Sequence, residues 1–288
     1  MHWSRTLGSL KRAAFLLAVL VPVAASAASQ DGVPVPQTLP QVRSSAFYVL
    51  DESSSAVLAA RHERVPVPIA SITKLMTALV VLEAGQSLDE TLTITAADVQ
   101  GTAGSGSRLA PGFRLSREDL LRLALMSSEN RAAHALCRNY PDGLAACVRA
   151  MNAKAAALGM TTTRFVEPTG LSSRNVASPE DLAKLVLATA GNPTIREFST
   201  AVGHTVYANR RRLEYHSTNQ LVANPGWRVN VQKTGYISEA GRCLVMQAVI
   251  DGRPVVIVLL NSLGKLTRIA DAKRVRTWVE SRHRFASI

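Results

Sequence analysis

The sequence predicts an α/β fold, an antiparallel sheet flanked by helices and carrying an all-α insertion. Three observations predict it. Apolar segments of strand type lie near residues 46–60 and again beyond about residue 200. Asp251-Gly252 between Val245–Ile250 and Pro254–Leu260 is a hairpin signal, because a two-residue turn there needs residues that tolerate positive φ. Between these regions helix-start signals follow one another. Strands and a helix at both ends with helices between imply a layered domain. Its α/β part takes residues of about 43–86 and 200–288, and its all-α part about 87–199. A cleft is expected where the two parts meet.

The elements follow in order. Arg5, Lys11 and Arg12, the apolar run Ala13 to Ala25 and the small residues Ala25-Ser26-Ala27 read as a secretory signal peptide over residues 1–27. Residues 28–42 read as an arm. Ala46 to Leu50 and Ala56 to Ala60 form a strand pair joined across Asp51 to Ser55. Pro66-Val67-Pro68 forces an extended approach. Ser71 to Ala84 is a helix that is apolar on almost all faces, hence central, and Gly85 stops it. Ser116 with Asp119 caps the next helix, and Ser127 or Ser128 opens another. Asp142-Gly143 opens a third, ended by Gly159; Ser178-Pro179-Glu180-Asp181 opens a fourth, ended by Gly191. An amphipathic helix from Thr267 to Arg282 closes the fold by packing on the sheet.

Without Arg5, Lys11 and Arg12 the formal charge of the 288-residue chain falls from +12 to +9. An exported basic protein excludes nucleic acid as a partner and suits an acidic extracellular polymer or an anionic membrane face; solubility alone accounts for the charge equally well. Three cysteines in an oxidising compartment allow one disulfide. Cys137 and Cys147 flank the turn Asn139 to Gly143, which can bring them together, and Cys243 lies in an apolar run as a core thiol. His62, His134, His204, His216 and His283 show no close ligand spacing, so neither a metal nor a cofactor is expected.

The chemistry rests on three short elements: Ser71-Ile-Thr-Lys74, Ser128-Glu-Asn130 and Lys233-Thr-Gly235. None is specific alone. Ser262-Leu-Gly-Lys265 repeats the first pattern, and Ser173-Arg-Asn175 and Ser217-Thr-Asn219 repeat the second. Context selects: Ser71 opens a buried helix and Ser128 sits between two helices. Three residues apart, Ser71 and Lys74 share one helix face. A serine nucleophile can be activated by a lysine that is neutral. Bringing a lysine from ~10.4 to ~7–8 requires ~4 kcal/mol of differential stabilisation. Burial on an apolar helix and repulsion from Lys233 are the expected sources. Ser128 relays a proton to the leaving amine, Asn130 holds Lys74 and the substrate amide, and Gly235 leaves room for substrate backbone. The N–H groups of Ser71 and Tyr236 form the oxyanion hole.

These stretches carry a resemblance across most of the chain: Ala70–Thr77 (ASITKLMT), Leu123–Ala133 (LALMSSENRAA), Phe165–Leu171 (FVEPTGL), Gln232–Ile237 (QKTGYI) and Glu239–Cys243 (EAGRC). The chain resembles the low-molecular-mass penicillin-binding proteins, the D-Ala-D-Ala peptidases of family S11, and within them the soluble D-alanyl-D-alanine endopeptidases. The resemblance implies a serine β-lactamase/DD-peptidase-like fold, Ser71 as acyl-enzyme nucleophile and Lys74 as general base. Ser128, Asn130 and Lys233 take the roles above, beside Thr234, Gly235 and Tyr236 on the substrate strand. It also implies Arg268 as the binder of the substrate's free carboxylate, peptidoglycan peptide cross-links as substrate in the periplasm, and β-lactam antibiotics as covalent inhibitors. Many carboxypeptidases of the family continue into a β-rich domain and an amphipathic membrane helix. This sequence reaches Ile288 soon after its last helix, so the expectation is the endopeptidase branch with no stable membrane anchor. The alternatives are a D-Ala-D-Ala carboxypeptidase, a class A-like β-lactamase using Glu167, and a non-catalytic wall-binding protein.

Overall fold

The protein is described from a computed structural model over residues 39–264 and 266–286. The expected signal peptide, most of the expected arm and Lys265 lie outside the described residues. The first hairpin is β1 (Ala46–Asp51) with β2 (Ala56–Arg61), as expected. A two-residue strand β3 (Val67–Pro68) leads into a 3-10 turn, Ala70–Ile72, and then into helix α1 (Thr73–Glu83). The expected helix from Ser71 thus begins two residues later, and Ser71 lies in the tight turn before it. Gly85 ends the helix at φ +67.

The helical part begins with β4 (Thr91–Thr93), the short α2 (Ala96–Gln100) and β5 (Arg114–Ser116). Helices α3 (Arg117–Met126), α4 (Asn130–Arg138) and α5 (Gly143–Ala157) follow. Ser116 caps α3 by accepting from the Asp119 N–H. The expectation that Ser127 or Ser128 opens the next helix fails. Ser127 Oγ donates back to the Leu123 carbonyl, Ser128 adopts φ +63, and Glu129 caps α4 instead. Strand β6 (Val176–Ala177) pairs with β3. Helix α6 (Pro179–Ala190) runs to Gly191 as predicted, with Ser178 as its cap. An unexpected helix, α7 (Pro193–Thr200), comes next. Strands β7 (Gly203–Ala208) and β8 (Arg211–His216) then form a separate hairpin that packs on α3 and β5.

The main sheet is completed by β9 (Arg228–Ile237), β10 (Gly241–Ile250) and β11 (Arg253–Ser262), and α8 (Thr267–Ala286) follows. Its strand order is β2-β1-β11-β10-β9, antiparallel throughout. Asp251 and Gly252 turn the β10–β11 hairpin with φ of +52 and +78, the positive pair that a tight hairpin needs. Both sheet faces are buried. Val256, Val258 and Leu260 face the large core under α1 and α6, while Val255, Ile257 and Leu259 face Ala272, Val275 and Val279 of α8. This explains why β11 reads as a continuous apolar run. Although α6 falls within residues 87–199, it packs on β1, β10 and β11.

Helix α1 is the hub. From Thr73 to Val81 all its residues are buried, and it touches α3, α4, α5 and α6. Cys137 and Cys147 form a disulfide between α4 and α5, and Cys243 is a buried thiol. Among the described residues no helix is long and apolar enough to cross a membrane.

The loop that carries Glu167 to Leu171 presses on the turn before α1. Gly170 has φ +83, and a Cβ there would lie 1.9 Å from the Ala70 carbonyl oxygen. Gly159 also has positive φ, +68, but faces open space. Gly159→Ala should therefore cost about 1 kcal/mol of left-handed strain, and Gly170→Ala more than about 3 kcal/mol because a clash adds to it. Chemical denaturation reads both; equal costs would mean that the loop is not held against Ala70. Reducing the Cys137–Cys147 bridge, which spans a sequence separation of 10, should lower unfolding free energy by about 3 kcal/mol. An unchanged denaturation midpoint in reductant would contradict a stabilising bridge.

Candidate active site

The three short elements meet where the helical part faces the free edge of β9. Order in the sheet makes β9 an edge strand, and an edge strand exposes unpaired backbone groups. The upstream part of that edge is covered by α7, through Gln232 N and Nε2 donating to Ser199 Oγ and to the Ser199 carbonyl. The downstream part meets the turn that carries Ser71. A Cβ on Gly235 would lie 3.0 Å from the Ser71 nitrogen, the Ile69 oxygen and the Ala70 Cβ. Gly235 thus lets the strand approach the nucleophile turn. This close approach is a reason for glycine in addition to the expected one, space for substrate backbone.

Lys74 is fully buried, whereas Ser71, Ser128 and Asn130 are only partly so. The Lys74 Nζ lies 2.7 Å from Ser71 Oγ, 2.7 Å from Asn130 Oδ1 and 2.6 Å from the Thr169 carbonyl oxygen. The last two atoms only accept. A neutral amine has two N–H donors and one lone pair, so donation to Asn130 and Thr169 leaves the lone pair for the Ser71 hydroxyl. Burial lowers Lys74 to about 7, against the opposing pull of Glu167 and Glu129.

Lys233, also fully buried, donates from Nζ to Ser128 Oγ at 2.9 Å and to the Thr234 carbonyl at 3.0 Å. It is held well below the usual lysine range by burial first, then by Lys74 and Arg268. For Lys74 burial is the leading cause, with Glu167 and Glu129 pulling the other way, and repulsion between the two lysines adds to the lowering of Lys233. Two non-glycine residues at the site, Ala70 and Ser128, sit at φ +47 and +63, the strained backbone often stored at functional sites.

On the far side of Gly235, Arg268 Nη1 donates to the Gly235 carbonyl at 3.1 Å. Tyr236 is 55% exposed. Thr234 is buried, with its hydroxyl 2.6 Å from that of Thr218. All nine residues singled out in the sequence therefore lie along one edge: Ser71, Lys74, Ser128, Asn130, Lys233, Thr234, Gly235, Tyr236 and Arg268.

Two contributors, Thr169 and Thr218, escaped sequence reasoning, and a third, Glu167, was weighed there only as a hydrolytic base. Thr169 supplies an acceptor to Lys74 through its backbone, where residue type gives no signal. Thr218 joins the walls, its N–H donating to the Met126 carbonyl at 3.1 Å and its hydroxyl meeting Thr234; the repeat Ser217-Thr-Asn219 was visible but lacked context. Glu167 ties its own loop. Its carboxylate accepts from Thr169 N and Oγ1, Gly170 N, Ser172 N and Asn175 Nδ2. No grouping of metal-ligating side chains occurs among the described residues.

Known proteins resemble this chain in sequence and in fold. The family described as D-alanyl-D-alanine carboxypeptidase, peptidase S11, matches residues 33–264. A D-alanyl-D-alanine endopeptidase of Pseudomonas aeruginosa is 46% identical over 267 residues, 92% of this chain and 85% of that one. A D-alanyl-D-alanine endopeptidase of Escherichia coli K12 is 42% identical over 92% of this chain and 86% of its own. Among solved structures, the Streptomyces K15 DD-transpeptidase superposes with a TM-score of 0.77 at 27% identity, covering 84% of this chain and 98% of that one. The D-alanyl-D-alanine carboxypeptidase of Mycobacterium tuberculosis H37Rv gives 0.77 at 28% identity, covering 85% and 93%. The antiparallel sheet flanked by helices is thus the fold of these DD-peptidases, and the chain belongs to the S11 peptidase family of D-alanyl-D-alanine carboxypeptidases.

Proposed function

We propose that this serine peptidase is a D-alanyl-D-alanine endopeptidase that opens the peptide cross-links of peptidoglycan through an acyl-enzyme on Ser71. One observation carries the reading: the buried Lys74 amine, with its two N–H groups engaged, faces the Ser71 hydroxyl at 2.7 Å. Ser71 gives its proton to Lys74 as Oγ bonds to the carbonyl carbon of a D-Ala residue. The N–H groups of Ser71 and Tyr236 stabilise the oxyanion. Ser128, held by Lys233, passes a proton to the departing amine. Water then hydrolyses the ester and frees Ser71. Asn130 keeps Lys74 in place, and Thr234 and Arg268 bind the carboxylate beside the scissile bond. The preference for cross-links over terminal D-Ala is supported by the two endopeptidases at 46% and 42% identity.

A β-lactam presents a similar acyl group, so penicillin acylates the same Ser71 and leaves slowly. Glu167 does not suit the hydrolytic base of a class A β-lactamase, since loop donors fill its carboxylate. The work belongs to the periplasm, reached through the signal peptide of residues 1–27.

Two experiments test the reading. Purified cross-linked muropeptide dimers should be converted to monomers by the wild type, and penicillin should add a single adduct on Ser71 by intact mass. Ser71→Ala should lose both. Loss of only terminal D-Ala from pentapeptides would make the enzyme a carboxypeptidase, and rapid penicillin turnover with intact muropeptides would make it a β-lactamase. Lys74 near 7 also predicts a pH profile. The neutral amine is the active form, so acylation should fall about tenfold per unit below pH 7, to about one-hundredth at pH 5. It should level off above that. A flat profile from pH 5 to 8 would remove Lys74 from the role of base.

A further inference from the structure

Past Gly235 the edge of β9 meets a second cation. Arg242 stands on β10 directly across the ladder from Tyr236. Its guanidinium carbon is 4.5 Å from the centre of the Tyr236 ring. Arg268 reaches the same stretch from α8 and bonds the Gly235 carbonyl. The two cations are close enough that Arg242 helps to lower Arg268, after burial. Other arginines of α8 are paired, Arg274 with Asp271 and Arg276 with Glu280. Neither Arg242 nor Arg268 has an acidic partner among the described residues. Two like charges beside a substrate edge, with no protein anion between them, suit a ligand that brings more than one negative group.

The two candidate reactions differ in this respect. Release of terminal D-Ala expels an amino acid with one carboxylate, which Arg268 alone can meet. Opening a cross-link expels a diamino acid still within its peptide. That leaving group has a carboxylate beside the broken bond and further carboxylates beyond a methylene chain. A guanidinium stacked on an aromatic face keeps its N–H edge free for a carboxylate, and the exposed ring offers an apolar surface to the methylenes.

Building on the endopeptidase reading, we propose that Arg242, with the ring of Tyr236, forms a subsite for a second carboxylate on the leaving side of the scissile bond. This subsite selects cross-linked peptides over single pentapeptides.

The test compares kcat/KM for a muropeptide dimer and for a pentapeptide monomer in wild type, Arg242→Gln and Arg242→Lys. The dimer-to-monomer ratio should fall about tenfold in Arg242→Gln, the worth of one charge-assisted pair, mainly through KM. Arg242→Lys should restore most of it. Amidating the outer carboxylates of the dimer should cost the wild type a similar factor and cost Arg242→Gln nothing more. An unchanged ratio, a loss shared equally by both substrates, or an undiminished amidation effect in Arg242→Gln would overturn the subsite. If Arg242→Gln does not fold, the amidated dimer on wild type decides, and absence of any loss overturns the proposal. A wild type that cleaves no dimer would sink the endopeptidase reading and the subsite together. Cleaved dimers with an unchanged ratio would sink the subsite alone.

Discussion

A buried primary amine that sits next to a serine hydroxyl sets the terms for the rest of this molecule. Bringing Lys74 from 10.5 to about 7 corresponds to about 5 kcal/mol of preference for the neutral form. Only a dry environment supplies that, and α1 supplies dryness because it is buried from Thr73 to Val81. A helix buried on every side needs neighbours on every side. The helical part covers it with α3, α4 and α5, and α6 fills the space between it and the sheet. The same packing brings in the acceptors that fix the amine's direction. Asn130 opens α4, and Thr169 lies on the loop pinned by Glu167. Without those acceptors a buried amine would keep unpaired donors, and its lone pair would have no fixed aim.

Ser71 itself is set by two close backbone approaches. Gly170 comes from one side and Gly235 from the other, each within reach of the Ala70–Ser71 peptide. A side chain at either position would push the loop or the strand away. The turn they grip holds Ala70 at φ +47, a conformation that costs free energy and persists only where its surroundings impose it. That strain turns Ser71 out of the helix proper, so its hydroxyl reaches the surface while Lys74, three residues on, stays dry.

Much of this was legible in the sequence. Ser71, Lys74, Ser128, Asn130 and Lys233 stood out because each proposed role demands a particular side chain, and the apolar helix after Ser71 set its Ser-x-x-Lys apart from the copy at Ser262. The hairpin at Asp251-Gly252 and the caps at Ser116 and Ser178 were legible because they are local. What escaped depends on distant contacts. The Thr169 carbonyl acts through backbone, Glu129 displaced the expected serine cap because Ser128 is drawn into a left-handed conformation at the site, and α7 is a short helix whose role is to cover an edge. Gly235 stood out through its motif, but only the assembled fold reveals that its missing Cβ faces the Ser71 turn.

The two lysines illustrate how far position outranks residue type. Both are fully buried, and both are depressed by burial before anything else. Lys74 has Glu167 and Glu129 nearby to restore part of its proton affinity. Lys233 has Lys74 and Arg268, which lower it further. A charge on either amine makes a charge on the other more costly, so the pair does not behave as two independent bases. Geometry then divides the work. The Lys74 amine, with pure acceptors on two sides, has its lone pair left for Ser71. Lys233 points to Ser128 across the cleft and to the Thr234 carbonyl of its own strand. The result is one lysine set against the Ser71 hydroxyl and a second set against the Ser128 hydroxyl across the cleft.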